Sequence, residues 1–126
     1  KVIPFLNKNI KNEKKEFNDL LYKSHILFVP TRAECYGIVF CEAAAFGIPV
    51  ITTDTGGVSS IVKNSINGYA LPYDSKPQDY ANQIQSLLDD PQQIERMALA
   101  ALDKFENILN WNVWGTKIKE IFLSQK

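Results

Sequence analysis

The stretch ILFVPTRAECYGIVFCEAAAFGIPVITT, residues 26 to 53, decides the fold. Ile26 to Val29 (ILFV) is a short continuous apolar run, the pattern of a parallel strand buried on both faces. After Pro30 comes a polar loop holding Thr31, Arg32 and Glu34. The spacing then predicts a helix that starts near Gly37 or Ile38 and stops at Gly47, and Pro49 to Thr53 (PVITT) reads as the next buried strand. Short apolar strands alternating with helices mean an α/β domain with a parallel, Rossmann-like sheet and flanking helices.

Outward from this unit, Lys1 to Leu6 (KVIPFL) is strand-like and has no start methionine, so it reads as a cut end. Asn12 is the expected cap of a helix whose Phe17, Leu20 and Leu21 recur at helical spacing. On the other side, Gly56-Gly57 leads into a short helix through Val62, and Asn67-Gly68 signals a turn before a third strand, Tyr69 to Leu71. From residue 75 onward the chain is expected to be helical. Tyr80, Ile84 and Leu87 make one apolar stripe, Ile94, Met97, Ala101 and Phe105 a second, and Trp111, Trp114, Ile118, Ile121 and Phe122 a third. Pro77 and Pro91 sit where a first helical turn accepts proline. All three stripes, both tryptophans included, are expected to be core or packing faces.

Composition narrows the function. With 126 residues, 45% apolar and 22% charged, the chain has the make-up of one soluble globular domain. Fourteen basic residues balance fourteen acidic ones, which argues against nucleic acid as a partner, since phosphate neutralisation calls for a basic excess. No apolar run approaches the roughly 20 residues of a membrane helix. Cys35 and Cys41 lack zinc-type partner spacing and read as reduced thiols, so the expected location is the cytoplasm. Lysine far exceeds arginine, with many Asn and Ile, as in proteins of AT-rich bacterial genomes.

The chemistry centres on Glu42. On a helix begun near Ile38, it shares a face with Val39, Ala43 and Phe46, so the pattern points it inward or into a crevice. A buried carboxylate without hydrogen-bond donors costs several kcal/mol. Positions 38, 39, 45 and 46 offer it no Lys or Arg. A ribose diol would serve, because its adjacent hydroxyls are two donors that one carboxylate accepts together. Gly37 lets a ligand approach the start of the helix, where free N–H groups and the dipole favour a phosphate. Glu34, in the loop ahead, could reach whatever is joined to the phosphates. The set reads as a site for a nucleotide sugar. Spacing alone leaves a structural reading level with it: a solvated Glu34, and a Glu42 bonded to a neighbouring backbone turn.

Pro30-Thr31-x-x-Glu34-x-x-Gly37-x-x-x-x-Glu42-Ala43-x-x-x-Gly47-x-Pro49-Val50-Ile51, followed by Gly56-Gly57, resembles the signature of the retaining, nucleotide-sugar-dependent glycosyltransferases of GT-B fold (glycosyl transferases group 1, or family 4). Their hallmark is a glutamate pair with seven residues between, as Glu34 and Glu42 have. The likeness extends through Asn67-Gly68, Asp89-Asp90-Pro91 and Trp111. It implies the C-terminal, donor-binding half of such an enzyme, with residues 1–74 its α/β portion and 75–126 its C-terminal helices. The N-terminal acceptor domain would be absent, and this chain alone inactive. The parent enzyme would transfer a hexose from a nucleoside-diphosphate sugar to a glycan or lipid-linked acceptor in polysaccharide biosynthesis, at the inner face of the membrane or free in the cytoplasm. Glu34 would be the catalytic-site carboxylate on the donor sugar, Glu42 would hold the ribose, and the backbone of Tyr36, Gly37, Ile38 and Val39 would hold the diphosphate. No metal and no cofactor are implied. Ser59-Ser60 departs from the family's Pro-Glu after the double glycine, and His25 stands where an aspartate is frequent; it reads as structural. Readings of other classes are an epimerase or phosphorylase of the same fold, and a non-catalytic nucleotide-binding or interaction module.

Overall fold

A computed structural model describes residues 1–124. In chain order the elements are α1 (Lys11–Tyr22), β1 (Leu27–Val29), α2 (Ile38–Ala45), β2 (Val50–Thr53), α3 (Val58–Ile61), β3 (Gly68–Leu71), α4 (Pro77–Asp89), α5 (Pro91–Asn107) and α6 (Trp111–Ser124). The sheet runs β1-β2-β3 and is parallel throughout, with Leu27 opposite Val50 and Val50 opposite Gly68. The three strands expected between residues 26 and 71 form, and the α/β class holds.

Side chains alternate across β2, so its two faces feed two cores. On one face Val50 joins Leu21 of α1, Phe40 and Ala43 of α2, Val58 and Ile61 of α3, and Ala70 of β3. On the other, Ile51 and Leu71 meet Tyr80 and Leu87 of α4 and Met97 of α5. All four residues of β2 are buried, as a central strand covered on both sides must be. Thr52 and Thr53 are tolerated there because both hydroxyls are paired. Thr52 Oγ1 donates to the Val29 carbonyl at 2.8 Å, and Thr53 Oγ1 lies 2.7 Å from the Tyr80 hydroxyl.

Helix ends follow local chemistry. Pro77 and Pro91 open α4 and α5, Asp79 accepts from the Lys76 N–H at 2.7 Å, and Asp90 accepts from the Gln93 N–H at 3.0 Å. α2 ends in a Schellman arrangement, with the Gly47 N–H on the Ala44 carbonyl and the Ile48 N–H on the Ala43 carbonyl, each at 3.0 Å.

The expected turn before β3 does form, over residues 65–67, with Gly68 opening the strand. Ser65 has a positive φ there, and buried Asn67 accepts from the Lys63 N–H at 2.7 Å and donates to the Ile61 carbonyl at 2.9 Å. The structure departs from expectation in three places. Lys1 to Leu6 forms no strand, and Val2 and Phe5 are 96% and 89% exposed; no neighbouring strand offers it a ladder. α1 is capped at Ile10 rather than Asn12, and the Asn7 N–H is met instead by Glu13 Oε2 at 2.7 Å. Finally, α6 buries none of its residues, and Trp111 and Trp114 are 75% and 55% exposed. Helical spacing reveals which side of a helix is apolar, but not whether another element reaches it. The two indole rings pack edge to face, with centroids 5.8 Å apart. No helix among the described residues is long and apolar enough to cross a membrane.

Candidate functional site

The loop from Pro30 to Gly37 leaves the C-terminal end of β1 and delivers the chain to α2. Its shape is fixed from behind by Gly56-Gly57. A Cβ on Gly56 would lie 1.7 Å from the Glu34 carbonyl oxygen, and one on Gly57 would lie 2.5 Å from that of Cys35. The Gly57 N–H donates to the Cys35 carbonyl at 2.9 Å. Only glycine lets the two segments touch this closely. Glu34 is half-buried in the loop, and its Oε1 accepts the N–H of Cys35 at 3.0 Å.

Gly37 is the residue before α2, at φ +85, and a Cβ there would strike the Phe40 ring at 2.4 Å. It has no side chain to cap the helix, and none other does so. The Phe40 N–H closes onto the Gly37 carbonyl at 2.9 Å, so the N–H groups of Ile38 and Val39 ahead of it have no intrahelical acceptor. That free, partly positive end is an anion site in form. Tyr36 and Ile38 flank it, 48% and 60% exposed, while Val39 is half-buried.

Of the two placements the pattern allowed, inward or into a crevice, Glu42 takes the crevice. Phe40, Ala43 and Ala44 fill the core-facing side of α2. Ile38, Cys41, Glu42, Ala45 and Phe46 instead face a cavity of about 1020 Å³, which Lys8, Phe17, Tyr36, Trp111 and Trp114 also line. Glu42 is not without a cationic partner: Lys8 Nζ donates to its Oε1. The helical positions around Glu42 gave no sign of this, since the lysine arrives from 34 residues away. Neither Lys8 nor the tryptophans were recognisable as site residues, because periodicity reports neighbours along one helix and not across a fold.

The cavity therefore gathers Tyr36, Ile38 and Glu42, with Glu34 in the loop just ahead and outside the lining. Burial, opposed by the Tyr36 phenol beside it, holds the Cys41 thiol above its ordinary range. Burial likewise raises the Tyr36 phenol. His25 is exposed between α1 and β1. Among the described residues no cluster of His, Cys, Asp or Glu is set to hold a metal ion.

Comparison with known proteins places the chain in a family. Residues 7–103 match the family described as glycosyl transferases group 1. Glycogen synthase of Mycobacterium tuberculosis is 31% identical over 110 residues, covering 85% of this chain and 26% of the relative. A D-inositol 3-phosphate glycosyltransferase of Catenulispora acidiphila is 34% identical over 87 residues, 69% of this chain and 21% of that protein. Among solved structures, sucrose-phosphate synthase of Thermosynechococcus elongatus superposes with a TM-score of 0.76 at 25% identity, over 87% of this chain and 28% of the other. The Anabaena protein Alr3699/HepE, crystallised with UDP, superposes with a TM-score of 0.75 at 24% identity, over 83% of this chain and 29% of that one; it bears on the fold alone. The chain thus spans about a quarter of the relatives it matches. With a family match over residues 7–103 and a fold shared with solved glycosyltransferase-like structures, the chain belongs to the glycosyl transferases group 1 family.

Proposed function

We propose that this chain supplies the donor-binding wall of a retaining glycosyltransferase that moves a hexose from a nucleoside-diphosphate sugar to a glycan or lipid-linked acceptor. One observation carries the reading: the uncapped N-terminus of α2 and the carboxylate of Glu42, one turn further on, belong to the same helix and border the same cavity. A nucleoside diphosphate has its phosphates and its ribose diol at a comparable separation. The diphosphate sits on the N–H groups of Tyr36, Gly37, Ile38 and Val39, and the diol donates to Glu42.

In the reaction the bond between the sugar's anomeric carbon and the diphosphate oxygen breaks, a bond to an acceptor hydroxyl oxygen forms, and that hydroxyl's proton passes to the departing diphosphate. Charge grows on the departing diphosphate, where fixed backbone donors stabilise the transition state more than the ground state. Glu34 takes the sugar end, accepting from hydroxyls of the hexose and orienting it. The acceptor enters from another part of the parent enzyme. Glu34→Ala in the intact enzyme is expected to lower kcat by about 100-fold or more while nucleotide affinity stays within a few-fold. Nucleotide-sugar binding without any transfer in the intact protein would instead identify a non-catalytic module.

A further inference from the structure

Lys8 is held at both ends, its backbone and its ammonium. Its backbone lies in a turn that the Asn7 side chain and backbone close, accepting from the Asn9 N–H at 3.0 Å and the Ile10 N–H at 2.9 Å. The turn is tied in turn to α1, since the Asn7 N–H donates to Glu13 Oε2 at 2.7 Å and the Lys14 N–H to the Ile10 carbonyl at 2.8 Å. The Lys8 ammonium rests 4.9 Å from the centroid of the Phe17 ring, which packs against the core, and donates to Glu42 Oε1. A surface lysine normally loses much of its rotamer freedom on being fixed, which is why exposed ion pairs contribute little. Here ring, turn and carboxylate share that task.

The pair also answers a problem of charge. A diphosphate brings negative charge to a place that already holds Glu42 and, nearby, Glu34. Of the charged side chains lining the cavity, Lys8 and Lys14 are the cations and Glu42 the anion. Lys8 neutralises the one carboxylate that must face the ligand. A carboxylate has about four acceptor positions. With Lys8 taking one of these on Oε1, enough acceptor positions are left for two hydroxyls.

We propose that Lys8 is a positioning residue for the donor: it fixes the Glu42 carboxylate and cancels its charge so that the carboxylate can take a ribose diol. This rests on the donor-site reading given above. UDP, GDP and ADP are titrated calorimetrically into the intact protein, and the tightest of them is carried forward with its 2′,3′-dideoxy analogue. Lys8→Ala is expected to weaken the diphosphate about five-fold, the scale of one such ion pair, and the dideoxy analogue, which senses only the uncancelled Glu42 charge, by less than about two-fold. Lys8→Arg should return to within about two-fold of the parent protein, and Lys8→Ala should add nothing in a Glu42→Gln background. Equal or tighter binding by Lys8→Ala, equal weakening of the dideoxy analogue, or a full Lys8 effect without the Glu42 charge would each overturn the proposal. Failure of the parent protein to bind any of the three diphosphates is a separate result; it removes the donor-site reading and the role of Lys8 with it.

Discussion

Cys41 and Lys104 show how single residues near the site respond to pH. Cys41 borders the cavity, and burial keeps its thiol protonated beyond the ordinary value of 9.0. The folded chain then holds a proton that the unfolded chain releases. Its contribution is intact below pH 9.0 and is lost as pH rises through the higher folded-state value. Lys104 works in the opposite sense. Burial first, then the nearby charge of Lys63, lower it from 10.5, although its ammonium donates to the Ser60 and Ile61 carbonyls at 3.0 and 2.8 Å. The folded chain gives up that proton first, so stability gains from Lys104 as pH rises toward 10.5. Cys41→Ala should therefore show a shallower loss of stability than the parent protein above pH 9.0, in urea melts taken at stepped pH. Parallel profiles would contradict the burial argument. The exposed Cys35 should be alkylated well before Cys41 at neutral pH, as peptide mapping can follow.

At the scale of elements, the two glycine contexts make contrasting predictions. Gly56 is at φ +55, with the Glu34 carbonyl where a side chain would begin. Gly56→Ala should cost at least about 2 kcal/mol and displace the loop that carries Glu34. Gly115 lies inside α6 with nothing within 4 Å of an added Cβ, so Gly115→Ala should strengthen that helix by about 0.5–1 kcal/mol. Thermal melts read the first, and amide exchange across Trp111–Ser124 reads the second. Elements were also where the sequence was most legible. The runs ILFV and PVITT became β1 and β2, because continuous apolar runs of that length suit a sheet covered on both faces. Gly47 and the two prolines marked helix ends through backbone rules that act locally. KVIPFL and α6 were misread for one shared reason: an apolar segment becomes core only when a distant segment arrives to cover it.

Across the whole molecule, the same distinction separates what was legible in the site from what was not. Glu34, Gly37 and Glu42 share one short loop and one helix, so their spacing in the chain carries over into their spacing in space. Lys8 enters through the tertiary fold, which packs the turn before α1 against the cavity face of α2. Glu42 takes the crevice rather than the core because Phe40, Ala43 and Ala44 suffice to fill the core side of α2. That placement supports the functional argument, since a carboxylate on a cavity wall can reach a ligand and one in the core cannot. The most direct test is calorimetric titration of a nucleoside-diphosphate sugar into the intact protein and its Glu42→Ala variant. The account predicts affinity at least about ten-fold weaker in the variant, the scale of a hydrogen bond to a charged acceptor. An unchanged affinity would contradict it.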